Sequence, residues 1–340
     1  MTHMQSGALK QKHILVTGGL GFIGSHFVQM ALDKGYFVTN VDKMTYAIRK
    51  DLDFDKNPNY HFFKKDICDL TSLPEDIEYI VNFAAESHVE NSLLNNLPFF
   101  KSNVQGVYNL LELIRKTRPE HRPVLIHIST DEVYGDIEHG SFAETDRVTP
   151  SNPYSATKAA ADQLIVGWWR THGIKARICR SSNNYGYGQV GTKLIPNTMK
   201  RVQKNLKAQV HGDGSYRREW IWVNDNAAAI LLIIEKGNDS EIYNISSNEE
   251  HTNMEVIRKI LKLFNKPYDF VEYISDRPQQ DIRYSIDSSK IRSLGWKPTM
   301  TLDAYLPICE QMNEKRRSSL PPGKKQIIKK LLSLDKVIRI

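Results

Sequence analysis

His13-Ile14-Leu15-Val16-Thr17-Gly18-Gly19-Leu20-Gly21-Phe22-Ile23-Gly24 is the stretch on which the reading of this 340-residue chain turns. A short aliphatic run enters a turn with glycines at 18, 21 and 24, spaced G-x-x-G-x-x-G. Glycine lets a backbone turn sharply and approach a pyrophosphate, and the helix that follows aims its first amide groups at the anion. Alone the pattern is weak, because glycine turns are common. Its setting strengthens it: a strand precedes it, an amphipathic stretch at 25–34 follows, and the next strand, 37–41, ends at Asp42. A carboxylate there accepts hydrogen bonds from both ribose hydroxyls and repels a 2′-phosphate, so NAD is favoured over NADP.

Outward from this turn, strand patterns at 60–64, 77–83 and 124–129 alternate with helical ones, notably 98–117 and 155–172. Such alternation predicts an α/β fold, a Rossmann-type doubly wound parallel sheet covered on both faces. After about Asn183 helices, short strands and loops mix without a repeat, as in a smaller α/β C-terminal substrate domain. The expected organisation is a disordered leader at 1–11, an NAD-binding domain at 12–182, a nucleotide-sugar-binding region at 183–312 from which the chain can re-enter the first domain, and a basic tail at 313–340.

Composition excludes several classes. Hydrophobic residues are 40% and charged residues 25%, an ordinary globular balance. The three cysteines, Cys68, Cys179 and Cys309, are far apart, so neither a zinc ribbon nor a disulfide framework is expected, and no metal. No secretory signal is visible, and the longest apolar run, 227–234, is too short to cross a bilayer, so no membrane span and a cytoplasmic location are expected. The net charge is +7, much of it in Lys315-Arg316-Arg317, Lys324-Lys325 and Lys329-Lys330. Charge runs are usually solvated, and no aromatic residues interleave these to stack bases, so no nucleic acid is expected and a partner of the tail is left open.

Two segments carry chemistry. Tyr154-Ser155-Ala156-Thr157-Lys158 puts a phenol and an ammonium on one helix face. A lysine near a phenol stabilises the phenolate and lets tyrosine act as a base. Ser129-Thr130-Asp131-Glu132-Val133-Tyr134-Gly135 follows an apolar strand, which places two hydroxyls and two acids at the carboxyl end of the sheet, where open α/β folds bind ligands. A plain polar turn, with Asp131 capping a helix and Glu132 exposed, is the alternative for this segment.

Together these motifs resemble the extended short-chain dehydrogenase/reductase superfamily and, within it, the dTDP-glucose 4,6-dehydratases. The likeness runs from about residue 13 to 310 and includes Phe83-Ala84-Ala85-Glu86-Ser87-His88-Val89, Ser182-Asn183-Asn184-Tyr185-Gly186, Lys193-Leu194-Ile195-Pro196, Asp276-Arg277-Pro278 and Leu294-Gly295-Trp296-Lys297-Pro298. The adjacent Asp131 and Glu132 are the dehydratase arrangement. What the resemblance implies is dehydration of a nucleoside diphosphate hexose to a 4-keto-6-deoxy sugar. Tyr154, helped by Lys158, takes the C4 hydroxyl proton while hydride leaves C4, and Thr130 binds the C4 oxygen. Glu132 removes the C5 proton, Asp131 protonates the departing C6 hydroxyl, and hydride returns to C6.

The resemblance also implies contacts. For NAD they are Gly18, Gly21, Phe22, Ile23, Gly24, Asp42, Lys43, Thr45, Asp66, Ile67, Phe83, Ala84, Ala85, Ser102, Tyr154, Lys158 and Asn184. For the nucleotide sugar they are Ser87, Thr130, Asn183, Lys193, Leu194, Gln209, Val210, His211 and Asn253, with Arg218 and Arg277 on the diphosphate. A surface salt bridge is the plainer reading of either arginine. Helices 98–117 and 155–172, the second bearing Trp168 and Trp169, commonly build a homodimer interface in the superfamily; core packing is the cheaper explanation of at least one tryptophan. Two loops depart from the usual pattern: Tyr46-Ala47-Ile48-Arg49 on the adenosine side, and Gly186-Tyr187-Gly188 with Gly191-Thr192 on the sugar side. The nucleobase and hexose therefore stay open. So do a related epimerase or 5,6-dehydratase acting on UDP-sugars and a non-catalytic NAD-binding scaffold.

Overall fold

The computed structural model describes residues 12–276 and 280–315, with side chains to residue 309. Seven parallel strands form the main sheet: β1 (His13–Thr17), β2 (Phe37–Asp42), β3 (Tyr60–Lys64), β4 (Tyr79–Asn82), β5 (Val124–Thr130), β6 (Ala176–Ser181) and, after three strands outside it, β10 (Glu241–Ile245). Those three are β7 (Asn183–Tyr185), β8 (Ala208–His211) and β9 (Arg217–Trp222); β11 (Glu249–Thr252) and β12 (Val271–Ile274) complete the set. The helices are α1 (Phe22–Asp33), α2 (Val89–Leu94), α3 (Leu97–Phe99), α4 (Gly106–Lys116), α5 (Pro153–His172), α6 (Leu194–Gln203), α7 (Val223–Lys236), α8 (Asn253–Leu263), α9 (Ser289–Ser293) and α10 (Leu302–Lys315).

The spatial order β10-β6-β5-β4-β1-β2-β3 follows from the sequence of β1. Ile14, Leu15 and Val16 are wholly buried, and an apolar run buried on both faces suits the middle of a parallel sheet. Ile14 and Val16 pack with Phe27 and Val28 of α1 and Ile230 and Leu231 of α7. Leu15 points the other way, to Val107 and Leu111 of α4 and Ile165 of α5. The chain leaves β1 toward β2 and β3, then restarts on its other flank at β4. The crevice at the carboxyl ends of β1 and β4 is thus a topological switch point. Register there aligns Thr17 with Asn82 and Asn82 with His127, so polar side chains line the strand ends.

The long helix of the sequence pattern is modified. The turns from Leu97 to Lys116 are continuous, but Phe100–Gln105 is a π-helix whose wider turns bury Ser102 and Asn103. Asn103 then accepts from Glu86 N at 2.9 Å and donates to Glu86 O at 3.0 Å, which fixes the segment after β4. α5 begins at Pro153 because Asn152 caps it: Asn152 Oδ1 accepts from Ser155 N at 2.9 Å and Ser155 Oγ closes a capping box. Trp168 donates to Glu112 Oε1 at 3.0 Å, and both tryptophans pack partly buried against the α4–α5 side of the core.

β11-β9-β7 form a small sheet and β12-β8 pair in parallel, backed by α6, α8 and α10. Arg277 and the basic stretch from residue 316 lie outside the described residues. Among the described residues no helix is long and apolar enough to cross a membrane.

One ion pair is sealed in the core: Arg180 Nε donates to Asp162 Oδ2 at 2.9 Å, with the guanidinium 4.6 Å from the Tyr134 ring centroid. Removing the carboxylate leaves a buried cation without its counter-charge, so Asp162→Ala is expected to lower stability by about 3–5 kcal/mol. Urea unfolding checks this; a loss below about 1 kcal/mol contradicts it.

Candidate active site

The glycine turn is shaped by contact with β4. Gly18 sits at φ +72°, and a Cβ there would lie 2.6 Å from Ala84 N, so any other residue would push the two strand ends apart. Gly18 N donates to Val41 O at 2.9 Å and Gly21 N to Gly18 O at 3.1 Å. Phe22, Ile23 and Gly24 form the first turn of α1, whose leading amides face the crevice. Asp42, almost fully buried, accepts from Leu20 N at 3.1 Å and Met44 N at 2.8 Å, one on each oxygen. Each oxygen keeps a lone pair for a ribose hydroxyl.

Eleven of the residues named for the cofactor line one groove here: Gly18, Gly21, Asp42, Lys43, Thr45, Asp66, Ile67, Phe83, Ala84, Ala85 and Ser102. Lys43 crosses it, donating to Ser102 Oγ at 2.8 Å and pairing with Asp66 at 3.5 Å and Glu86 at 3.7 Å. The backbone cradle at Gly18, the helix N-terminus and the Asp42 carboxylate fit a dinucleotide by donor chemistry and by shape. Phe22, Ile23, Gly24, Tyr154, Lys158 and Asn184 are not among its lining residues; Asn184 is bonded to Ser182 O at 2.9 Å and to Asn226 at 2.9 Å. The sequence reading passes over Val41, Ala47, Ile48, Lys65 and Glu86, which also line the groove.

Beyond the switch point, β5 ends at Thr130 and turns into a 3-10 segment, Asp131–Tyr134. Thr130, not Asp131, caps this turn: its Oγ1 accepts from Glu132 N at 3.3 Å and donates to Asp131 Oδ1 at 3.1 Å. Asp131 is buried, and its Oδ2 has no partner among the described residues. Burial, then the neighbouring Glu132 charge, push its carboxyl up to about 8, against the hydrogen bond from Thr130. Glu132 is half-buried rather than exposed, and accepts from Asn152 Nδ2 at 3.4 Å. Burial raises its carboxyl also, while positive Lys193 and Arg218 act to lower it.

Tyr154, in the first turn of α5, is buried within hydrogen-bonding reach of Thr130; burial, then the charge of Glu132, raise its phenol well above the usual range. Lys158, one turn on, directs its ammonium elsewhere. It donates to Ile128 O at 2.6 Å and lies 3.2 Å from His127 Nε2. Burial pulls it down to about 8, with the Asp162 charge opposing. Behind it His127 Nδ1 meets Asn82 Nδ2 at 3.1 Å, and Thr17 Oγ1 donates to Asn82 Oδ1 at 2.5 Å. These residues were not foreseen, although a polar side chain interrupting an apolar strand near its carboxyl end is a signal readable in sequence.

Of the residues named for the sugar nucleotide, Lys193 and Arg218 come close enough to Glu132 for their charges to act on it. Lys193 caps α6 just before Leu194 and donates to the carbonyl of exposed Ser87 at 3.2 Å. Among the described residues Arg218 is in no surface salt bridge. It is buried, donates to Asp281 O at 2.8 Å and Arg217 O at 2.6 Å, and stacks 4.2 Å from the Tyr284 ring centroid. Asn183 is half-buried on β7, and Asn253 opens α8. On β8 Gln209 and His211 are half-buried, but Val210 points into the core with Ile257 and Leu261, so only its backbone is available to a ligand. Among the described residues no three His, Cys, Asp or Glu side chains are grouped to hold a metal, and all three cysteines are free thiols.

Comparison with known proteins bears on this arrangement. Residues 15–309 match the family described as GDP-mannose 4,6 dehydratase. The low-salt glycan biosynthesis protein of Haloferax volcanii is 42% identical over 87% of this chain and 96% of its own length. The dTDP-glucose 4,6-dehydratase of Haemophilus influenzae is 40% identical over 86% of this chain and 95% of its own. The crystal structure of dTDP-glucose 4,6-dehydratase DesIV from Streptomyces venezuelae, with NAD bound, superposes with a TM-score of 0.83 at 36% identity, covering 89% of this chain and 98% of that one.

The raised Asp131 carboxyl has a thermodynamic signature. Between its ordinary value of 3.8 and about 8 the folded chain holds a proton that the unfolded chain has released. The stabilisation is therefore complete below the lower value and is lost as pH rises through the upper one. Asp131→Asn removes this slope. Relative to the unaltered protein, the variant should gain on the order of a few kcal/mol between pH 4 and pH 8. Urea unfolding at both pH values measures the difference; equal differences would show that Asp131 titrates normally.

Proposed function

The chain belongs to the GDP-mannose 4,6-dehydratase family, and from that premise we propose that it is an NAD-dependent hydro-lyase that converts a nucleoside diphosphate hexose, dTDP-glucose, to its 4-keto-6-deoxy product. The observation that carries the reading is the pair of carboxyl groups after β5, withdrawn from water next to Tyr154, with Asp131 pushed up to about 8 and Glu132 facing the positive charges of Lys193 and Arg218. Elimination of water needs a base and an acid acting on adjacent carbons, and two neighbouring carboxyl groups, one of them protonated, supply both.

NAD would be held by the Gly18–Gly24 turn, Asp42 and the groove beside them, and would supply a reversible hydride acceptor, so the net change is loss of one water. Tyr154 takes the C4 hydroxyl proton, and Thr130 donates to the C4 oxygen. Lys158, one turn along α5, carries the positive charge assigned to favour the phenolate, while its ammonium also bonds to Ile128 O at 2.6 Å. With a ketone at C4 the C5 proton becomes acidic. Glu132, which faces the positive charges of Lys193 and Arg218, removes it. The C6–oxygen bond breaks as Asp131, neutral near pH 7, passes its proton to the departing hydroxyl, which leaves as water. Glu132 then returns its proton to C5. Arg218 and Arg277 are assigned to the diphosphate, and Lys193, Asn183 and Asn253 to the nucleotide sugar.

Two further points belong to the same reading. The protein pairs as a homodimer through the face of α4 and α5, where Tyr108 is left 47% exposed beside Trp168. It works in the reducing cytoplasm, in keeping with its free thiols.

Purified protein incubated with dTDP-, UDP-, CDP- and GDP-glucose should remove one water from the dTDP sugar, seen by mass spectrometry. A product of unchanged mass would point instead to epimerisation, and no product at all to a scaffold. In deuterated water Glu132→Gln should abolish label at C5, and retained labelling would refute its role as base. Light scattering should give twice the monomer mass, and Tyr108→Glu should halve it; a monomer in the unaltered protein sinks the dimer.

A further inference from the structure

Two segments without helix or strand flank the first turns of α1. Residues 44–50 follow β2 and put Thr45, Ala47 and Ile48 on the cofactor groove; residues 186–192 follow β7. Both contain the departures from the usual pattern noted above, at Arg49 and at Tyr187-Gly188. The structure brings those departures into contact. Arg49 lies with its guanidinium 5.0 Å from the Tyr187 ring centroid. Its Nε and Nη2 donate to the two oxygens of Asp51 at 3.2 and 2.9 Å, and its Nη1 donates to Ser25 Oγ of α1 at 3.2 Å. Its backbone N–H is bonded to Leu20 O at 2.8 Å, inside the glycine turn.

Tyr187 is gripped from two more sides. His26 Nε2 donates to its carbonyl at 2.8 Å, and its hydroxyl bonds to Asp51. Burial alone would raise the Asp51 carboxyl, but the hydrogen bonds from Arg49 and Tyr187 outweigh it and hold it at about 2, so the bridge stays ionic at any working pH. Gly188, at φ +85°, leaves the room in which Arg49 lies; a Cβ there would collide with Arg49 Nε. A planar guanidinium that is at once forked onto a carboxylate and stacked on a ring is a geometry lysine cannot copy. None of Arg49, Asp51 and Tyr187 has a part in the chemistry above.

We propose that Arg49 and Tyr187 form a latch that retains the dinucleotide, pinning the 44–50 segment over the groove to the 186–192 segment across α1. The inference rests on reading the groove as an NAD site. The reaction gives the latch its use. Hydride must be returned to the same sugar that lost it, so a cofactor that departed between the two transfers would strand a half-processed substrate. The second segment continues to Lys193, which bonds to Ser87 O at 3.2 Å, so one strap spans from the adenosine side to the sugar side.

The test is the rate at which NAD leaves. The unaltered protein, Arg49→Ala, Tyr187→Leu and the double variant are loaded with NADH, and dissociation is followed by loss of its fluorescence into excess NAD. The unaltered protein should hold the cofactor. Each single variant should lose it about tenfold faster or more, and the double variant no faster than the worse single one, because both remove one shared contact. Tyr187→Leu carries the test alone if Arg49→Ala does not fold. Dissociation within twofold of the unaltered rate in the folded variants overturns the latch and leaves the cofactor site standing. An unaltered protein that binds no NADH overturns the cofactor reading, and the latch with it.

Discussion

The molecule depends on keeping two neighbouring carboxyl groups out of water at the end of β5. Two buried carboxylates side by side would be strongly unfavourable. The structure relieves this asymmetrically. Asp131 is pushed up to about 8, while Lys193 and Arg218 place positive charge near Glu132 against the upward push of its own burial. Arg218 is in turn fixed by the carbonyls of Arg217, Asp281 and Ile282 and by the Tyr284 ring. Its neighbour Glu219, tied to Ser246 at 2.5 Å and Ser285 at 2.7 Å, shows that a third buried carboxyl is handled by hydrogen bonds instead of by charge.

A second polar system runs beneath this one, through the strand ends. Thr17, Asn82, His127 and Lys158 form a continuous buried chain that starts next to the glycine turn and ends on the helix that carries Tyr154. Parallel register makes it contiguous, since Thr17, Asn82 and His127 are direct cross-strand partners on β1, β4 and β5. Burial, then the positive charge of Lys158, lower the His127 imidazole well below its ordinary value, so it is neutral beside the ammonium. Cofactor turn and catalytic helix thus share one frame, and a shift in either is felt by the other.

The sheet was readable from sequence because its signals are local. Ile14–Val16 are apolar on both faces, the glycines recur on a fixed spacing, and Asp42 closes the next strand. The helical pattern at 155–172 recovers α5 but misses its first turn, which begins at Pro153 under the Asn152 cap. The π-helical turns at 100–105 were not readable, because the apolar periodicity on either side continues smoothly through them; only the burial of Ser102 and Asn103 reveals the extra width. Arg218 illustrates a different limit. Its residue type suggested either a phosphate ligand or a surface ion pair; among the described residues its partners are the carbonyl of adjacent Arg217 and, from a segment distant in the chain, the carbonyls of Asp281 and Ile282 and the ring of Tyr284. Val210 shows the converse, since a motif likeness cannot tell that alternate residues of a short strand face the core.

The two unusual loops make the last step. Read along the chain, each looks like an independent loss of a familiar pattern, and each casts doubt on the site it borders. In three dimensions they are complementary: the guanidinium at 49 needs the ring at 187 and the missing side chain at 188, while the carboxylate at 51 serves both. A substitution at one position alone would leave a cation or a phenol badly placed at the mouth of the groove. The two loops therefore border the cofactor groove as one bonded unit, joined beside α1 by Arg49, Asp51 and Tyr187.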